Sequence, residues 1–210
     1  MLHVKLIGMT WYLGEEGEGP EPERLLARAG RVCYASEKKG ELEDFIRSRI
    51  RQKHFSLLEH CQLAFEISGI SRVTSHQLVR HRIASYSQAS QRFIDMSSAD
   101  FVVPPSIQGS NPARAIFNEA TRVALAAYEE LRALGIKKED CRFVLPNATK
   151  TTLVMSMNIR SIRNLVEVRL GGGSQWEIRE LVEEILTVSR RAIPSAFEDL
   201  YTMYVMGKEF

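Results

Sequence analysis

Two periods of hydrophobic and polar residues run along the chain, and the switches between them lay out its elements. Cys61, Leu63, Phe65 and Ile67 alternate with Gln62, Ala64 and Glu66, the period of a half-buried strand. Leu153, Met155, Met157 and Ile159 alternate in the same way over 151–160, and "HVKLIGM" at 3–9 reads as a third strand. Between these, apolar residues recur at helical spacing. Leu42, Phe45, Ile46 and Ile50, with the Arg49 stem among them, predict a helix over 41–53. Ile116, Phe117, Ala120, Val123, Ala124, Ala127, Tyr128, Leu131 and Leu134 predict a long amphipathic helix over 111–134, closed by Gly135.

Weaker patterns fill the gaps. Pro22 stands where a first helix over 23–32 can begin, after the loop "GEEGEGPEPE". Residues 70–82 predict a helix ending near three basic side chains, "SADFVVPP" at 98–105 a short strand stopped by its prolines, and 137–144 a short helix before Pro146. Residues 161–170 and 174–192 predict two more helices, broken apart by Gly171–Gly173 and ended before Pro194. Strands and helices mix along the chain, so the expected fold is mixed α/β, a central sheet flanked by helices. A 210-residue chain that is 44% hydrophobic can bury one sizeable core, and we expect a single domain over 1–210.

Composition narrows the chemistry. A formal charge of +2 is too small for a general nucleic-acid or membrane-surface binder. No apolar stretch approaches the roughly 20 residues of a membrane span, and the N-terminal residues lack a signal-peptide pattern, so a cytoplasmic protein is expected. Cys33, Cys61 and Cys141 are too widely spaced for a disulfide framework or a CxxC site and are expected to be buried free thiols. The histidine spacings miss the same-face geometry of a helical metal pair, and no metal is expected.

Charge is segregated instead. Residues 69–94 contain no Asp or Glu, where the overall acid content would place about three, and they carry Arg72, Arg80, Arg82 and Arg92. Residues 141–166 are also free of acids and carry Arg142, Lys150, Arg160 and Arg163. Gln77, Ser85, Ser87, Gln88, Ser90, Gln91, Asn147, Asn158 and Asn164 lie in the same blocks. Arginine forks with neutral amides suit a phosphorylated polar ligand. Basic residues closing a helix are also favoured by its dipole alone, by about 0.3–1 kcal/mol each. RNA binding competes as a function, but aromatics for base stacking are sparse, with Tyr86 and Phe93 near the first block. Neither GxGxxG nor GxxxxGK[ST] occurs, and no GxSxG elbow or activated cysteine is present.

Arg80-His81-Arg82, seven residues and then Ser90 resemble the RHR-x7-S signature of the flavin-dependent thymidylate synthases. "RVCY" at 31–34, "HFSLLEH" at 54–60, Gln77, "RFVLP" at 142–146, "MNIRSIRNLVEVR" at 157–169 and "QWEIR" at 175–179 are similar to the family in order and spacing. The resemblance implies a mixed α/β fold, a homotetramer with FAD bound across subunit interfaces, and conversion of dUMP to dTMP. It also implies 5,10-methylenetetrahydrofolate as one-carbon donor and NADPH as reductant, with neither nucleic acid nor membrane as partner. By resemblance, Ser56, Arg80, His81, Arg82, Gln88, Asn158, Arg160 and Asn164 match FAD-binding positions, with Glu59 beside them. Gln77, Arg80, Gln88, Ala89, Ser90, Gln91, Arg92, Arg142 and Arg169 match the dUMP-binding set, in which Ser90 and the backbone around Ala89 and Gln91 would donate to phosphate.

The resemblance gives Arg169 the catalytic role, at the uracil edge. A guanidinium stays charged, so it can stabilise negative charge developing on N3 and O2 but is a poor proton abstractor. Ser90 has no evident histidine base and is assigned to binding. Three positions depart from the family's usual pattern: Ser87-Gln88 where Asn-Glu is frequent, Cys33 where serine is frequent, and the bare run Gly171–Gly173. A flavin reductase without methyl transfer and an RNA- or nucleotide-binding regulator are the other functions these residues would fit.

Overall fold

In the computed structural model, which describes residues 1–14, 21–34 and 40–208, the chain runs β1 (His3–Met9), α1 (Glu21–Tyr34), α2 (Leu42–Arg51), a 3₁₀ turn (Ser56–His60), β2 (Gln62–Ser71) and α3 (Arg72–Leu78). It continues through β3 (Ser85–Gln88), α4 (Pro105–Gln108), α5 (Asn111–Ala133), α6 (Lys138–Cys141), a 3₁₀ turn (Arg142–Val144) and β4 (Lys150–Asn158). Helices α7 (Ile159–Leu170), α8 (Trp176–Ala192) and α9 (Pro194–Tyr204) follow, with a last 3₁₀ turn at Met206–Lys208. Most of the predicted loop 14–23 lies outside the described residues.

The four strands form one antiparallel sheet in the order β1-β2-β4-β3. Its alternation is the one the sequence carries. Leu63, Phe65 and Ile67 of β2 and Leu153, Met155 and Met157 of β4 point to one face and are buried, while Gln62, Glu66 and Thr152 on the other face are exposed. Helices α7, α8 and α9 cover the apolar face through Ile162, Leu165, Val166, Ile178, Val182, Ile185, Phe197 and Leu200. Each such side chain contributes about 1.5–3 kcal/mol by leaving water.

Several expectations change, each for a physical reason. Strand β2 does not stop at Gly69; it bulges there and continues, so Ile70 and Ser71 pair with Thr151 and Lys150 rather than starting a helix. Gly69 has φ +73, and a Cβ on it would meet the Met1 carbonyl oxygen at 2.1 Å, so the bulge requires glycine. Helix α3 is therefore short and ends before Arg80. The segment 98–105 is not a strand: one bridge, Phe101 to Thr149, forms before the adjacent prolines, which lack N–H donors. Strand β3 is not legible, because Ser85–Gln88 carries little apolar signal. Nor is α9: a proline after a helical stripe signals a stop, but at the first helical position proline opens a helix.

Helix α5 forms as predicted, with Ser110 capping it at the N-terminus, yet its apolar stripe is largely uncovered. Tyr128 is fully buried, whereas Ile116, Val123 and Leu134 are 71%, 51% and 77% exposed, because α5 packs on α4, α6 and the Arg142–Val144 turn rather than on the sheet. Cys61 and Cys141 are buried, but Cys33 is exposed, contrary to expectation. It sits in the last turn of α1, outside the packed stripe.

Arg163 also changes role. It is 5% exposed and its guanidinium donates to both Asp199 carboxylate oxygens at 2.7 and 2.6 Å and to the Ala196 carbonyl at 2.5 Å, tying α7 to α9. Burial alone would raise the Asp199 carboxyl, but the Arg163 bonds and charge hold it below its usual range. Arg163→Ala should cost about 2–3 kcal/mol, since it leaves polar partners without their donor. Urea unfolding checks this as a lowered midpoint at unchanged slope.

Candidate functional site

Helix α3 stands between two cavities. Ser71 caps its N-terminus, accepting from the Thr74 N–H at 3.1 Å. Arg72 and His76 on α3 line a cavity of about 500 Å³, completed by Gln91, Arg142, Phe143, Leu145, Pro146 and Asn147. The turn that leaves α3, Arg80 to Ile83, lines a second cavity of about 590 Å³. Its other wall is the junction of β4 and α7: Met157, Asn158, Arg160, Ser161 and Asn164, with Glu59 from the first 3₁₀ turn.

The larger cavity gathers most of the positions first matched to FAD: Arg80, His81, Arg82, Asn158, Arg160 and Asn164. They converge because β4 ends at Asn158 and α7 begins at the next residue. Asn158 Oδ1 accepts from the Ser161 N–H at 2.8 Å, a helix cap that aims the first turn of α7, with its partial positive charge, into the cavity. Arg160 pairs with Glu59 at the rim. Three arginines against one carboxylate leave the cavity cationic, while Ile83 and Met157 give it an apolar wall. Ser56 opens the 3₁₀ turn that carries Glu59 but is not among the lining residues.

Arg169 links this cavity to α3. From the last turn of α7 its Nε–H donates to His81 Nε2 at 3.0 Å, and its Nη2 donates to the Gln77 carbonyl at 3.1 Å. Because an arginine only donates, His81 Nε2 must be an unprotonated acceptor and the ring proton lies on Nδ1. Burial, and then the charge of Arg169, push the His81 pKa below its usual 6.5. His81 is therefore neutral at neutral pH.

The smaller cavity contains Gln91 and Arg142 from the expected nucleotide set and adds two residues that were not assigned to it, Arg72 and His76. No carboxylate lines it. Arg72 lies in the first acid-free block, which was the available signal; its distance in sequence from Arg142 hid the pairing. Burial and then the Arg142 charge lower the Arg72 pKa, the mark of two like charges facing a shared space.

Other expected positions are placed differently. Gln88 points to the packed face of the sheet, its amide nitrogen donating to Ser75 Oγ at 3.0 Å and Thr151 Oγ1 at 3.1 Å, and it lines neither cavity. The Ala89 N–H, expected to be a phosphate donor, is already committed to the Thr152 carbonyl at 2.9 Å as β3 pairs with β4. Ser90 begins a turn: its carbonyl accepts from the Phe93 and Ile94 N–H groups and its Oγ from the Arg92 N–H. Arg92 itself pairs with Glu139 at 2.5 Å. Among the described residues, no group of metal-binding side chains is assembled, and no helix is long and apolar enough to cross a membrane.

Comparison with known proteins shows the family. Residues 16–195 match the family model described as "Thymidylate synthase complementing protein". The chain is 41% identical over 191 residues to the flavin-dependent thymidylate synthase of Geobacter sulfurreducens, covering 86% of this chain and 82% of that one. It is 34% identical over 206 residues to the flavin-dependent thymidylate synthase of Clostridium tetani, covering 85% and 82%. A crystal structure of the UMP/dUMP methylase PolB from Streptomyces cacaoi, bound with 5-Br dUMP, shares the fold with a TM-score of 0.79 at 23% identity over 97% of this chain and 96% of that one. The RHR turn, the α7 cap and the matched relatives lead to one conclusion: this chain belongs to the flavin-dependent thymidylate synthase family and is an enzyme of the methyltransferase class.

Proposed function

We propose that this protein methylates dUMP to dTMP, taking the one-carbon unit from 5,10-methylenetetrahydrofolate and electrons from NADPH through FAD, and so supplies dTTP biosynthesis in the cytoplasm. The observation that carries the proposal is the pair of cationic cavities on either side of α3, with Arg169 tying His81 of the larger one to α3.

The larger cavity fits FAD. Arg80, Arg82 and Arg160 offer charge to a pyrophosphate, the α7 N-terminus adds its partial positive charge, and the Asn164 amide and His81 offer polar partners. Ser56 and Gln88 are kept as flanking FAD positions. Bound there, FAD supplies the reducing equivalents that turn a transferred methylene into a methyl group. The smaller cavity takes the dUMP phosphate, a dianion that offsets the repulsion between Arg72 and Arg142. Gln91 lines it; Gln77, Arg80, Gln88, Ala89, Ser90 and Arg92 are kept as the rest of the nucleotide set, outside the lining of this cavity.

Arg169 acts on the pyrimidine. Its Nε–H and one Nη2–H are fixed on His81 and Gln77, which holds the guanidinium in one orientation and leaves its remaining donors for a substrate edge. Negative charge forming on N3 and O2 is stabilised there, activating the ring without covalent attack. Cysteine attack has no support: neither cavity is lined by a cysteine, Cys61 and Cys141 are buried, and burial pushes the Cys61 thiol up to about 11.

The active unit is a homotetramer with sites at subunit interfaces. Large exposed apolar side chains support this: Phe143 on the smaller cavity is 82% exposed, Phe93 is 72% exposed, and α5 presents Ile116 and Val123.

The purified protein should be yellow and should release tritium from C5-labelled dUMP only with NADPH and methylenetetrahydrofolate present. Flavin oxidation without release would favour a reductase, and neither signal would favour a binding protein. Arg169→Ala should abolish turnover while FAD stays bound; near-normal turnover would sink the catalytic assignment. Arg142→Ala should raise the dUMP KM by about tenfold to a hundredfold, the value of a hydrogen bond to a charged group. His81 should titrate below 6.5 by NMR and move upward, toward 6.5, in Arg169→Ala. The unfolded imidazole binds its proton first as pH falls, so the stability His81 contributes is present above 6.5 and declines as pH drops through that window.

A further inference from the structure

We infer that Glu177, acting through Ser71, is a positioning residue that holds Arg72 in the nucleotide cavity; this rests on the proposed phosphate role of that cavity. Glu177 lies in the first turn of α8, where the Gln175 side chain caps the helix by accepting from the Glu177 and Ile178 N–H groups. Its own carboxylate is 4% exposed and turns back to α3. Oε1 accepts from the Ser71 N–H at 2.6 Å and Oε2 accepts from the Ser71 Oγ–H at 2.5 Å. Ser71 Oγ in turn accepts from the Thr74 N–H. Both carboxylate oxygens are thus spent on one residue, and that residue starts the helix.

Arg72 follows immediately. Its N–H donates to the Thr149 carbonyl at 3.0 Å, and the next N–H, from Val73, donates to the carbonyl of Asn147, which is on the cavity wall, at 3.2 Å. The start of α3 and the loop opposite it are therefore registered together at the point Glu177 pins. Burial and the charge of Arg142 both work against keeping Arg72 in this space. The Arg72 stem is flexible, so a fixed backbone sets the point from which it reaches into the cavity, and a displaced helix start would let the guanidinium settle farther from Arg142. Burying a carboxylate to hold it is costly, and an apolar contact would join α8 to α3 at lower cost without fixing direction. The far end of α3 is held separately, by Arg169 on the Gln77 carbonyl and by the Tyr86 hydroxyl on the Leu78 and His81 carbonyls. Loosening the Glu177 end should move the nucleotide side and spare the flavin side.

The test compares Glu177→Gln, Ser71→Ala, the double variant and Arg142→Ala, each as the full-length FAD-loaded enzyme. The dUMP KM, kcat, FAD affinity and melting temperature are measured. Glu177→Gln keeps one acceptor but replaces the other with a donor; Ser71→Ala removes the hydroxyl and keeps the N–H bond. Each single variant should raise the dUMP KM about tenfold with FAD affinity unchanged, and the double variant should be no worse than the more impaired single, since both break one connection. A lowered melting temperature with unchanged KM, or parallel losses of dUMP and FAD affinity, would overturn the inference. If Glu177→Gln does not fold, Ser71→Ala decides. An effect in Arg142→Ala without one in Ser71→Ala overturns the inference alone, whereas no effect in Arg142→Ala overturns the phosphate role of the cavity and the inference with it.

Discussion

Seven residues cannot hold themselves as a helix in water, yet the seven-residue helix α3 lines one cavity and the turn that leaves it lines the other. Its place is imposed from outside. Ser71 and Glu177 fix its start, the Gln88 amide reaches Ser75 at its middle, and Arg169 and Tyr86 fix its end. Burial pushes the Tyr86 phenol up to about 12, so its hydroxyl keeps the proton it donates. The tethers come from three elements, α8, β3 and α7. The sheet and the packed helices therefore serve the site by agreeing on the position of one short rod.

Charge placement follows the same logic. The two acid-free blocks looked alike in sequence, but folding divides their cations by environment. Arg163 is drawn into the core by Asp199, and Lys150 pairs with Asp100, Arg160 with Glu59 and Arg92 with Glu139. Arg72 and Arg142 share one cavity and Arg80 and Arg82 line the other. The acids missing locally return from distant segments at four of these eight positions. What remains is cationic space suited to phosphates, where an added carboxylate would compete with the ligand.

His81 shows why the site needs its polar contacts arranged rather than only supplied. A protonated imidazole would repel Arg169 and lose its acceptor nitrogen; the neutral ring turns the same neighbour into an anchor. Orientation of the arginine thus depends on the protonation state of the residue at the centre of the RHR turn.

Much of the fold was legible in the chain because burial writes a period into sequence. The alternation of Leu63, Phe65 and Ile67 and of Leu153, Met155 and Met157 named two strands, and the helical stripes named α2, α7 and α8. The acid-free blocks and the family resemblance single out the RHR turn, Asn158, Arg160, Asn164 and Arg142, and each lines a cavity. Where local and long-range forces differ, the sequence was silent. It could not show that Pro194 opens a helix, that Ser85–Gln88 pairs with β4, or that the stripe of α5 lies largely uncovered. Nor could it tell Arg163, a core residue, from Arg72, a cavity residue, since the difference lies in Asp199 and Arg142, each many residues away. Periodicity records which face of an element leaves water; the partner of a charge is decided only when distant segments meet.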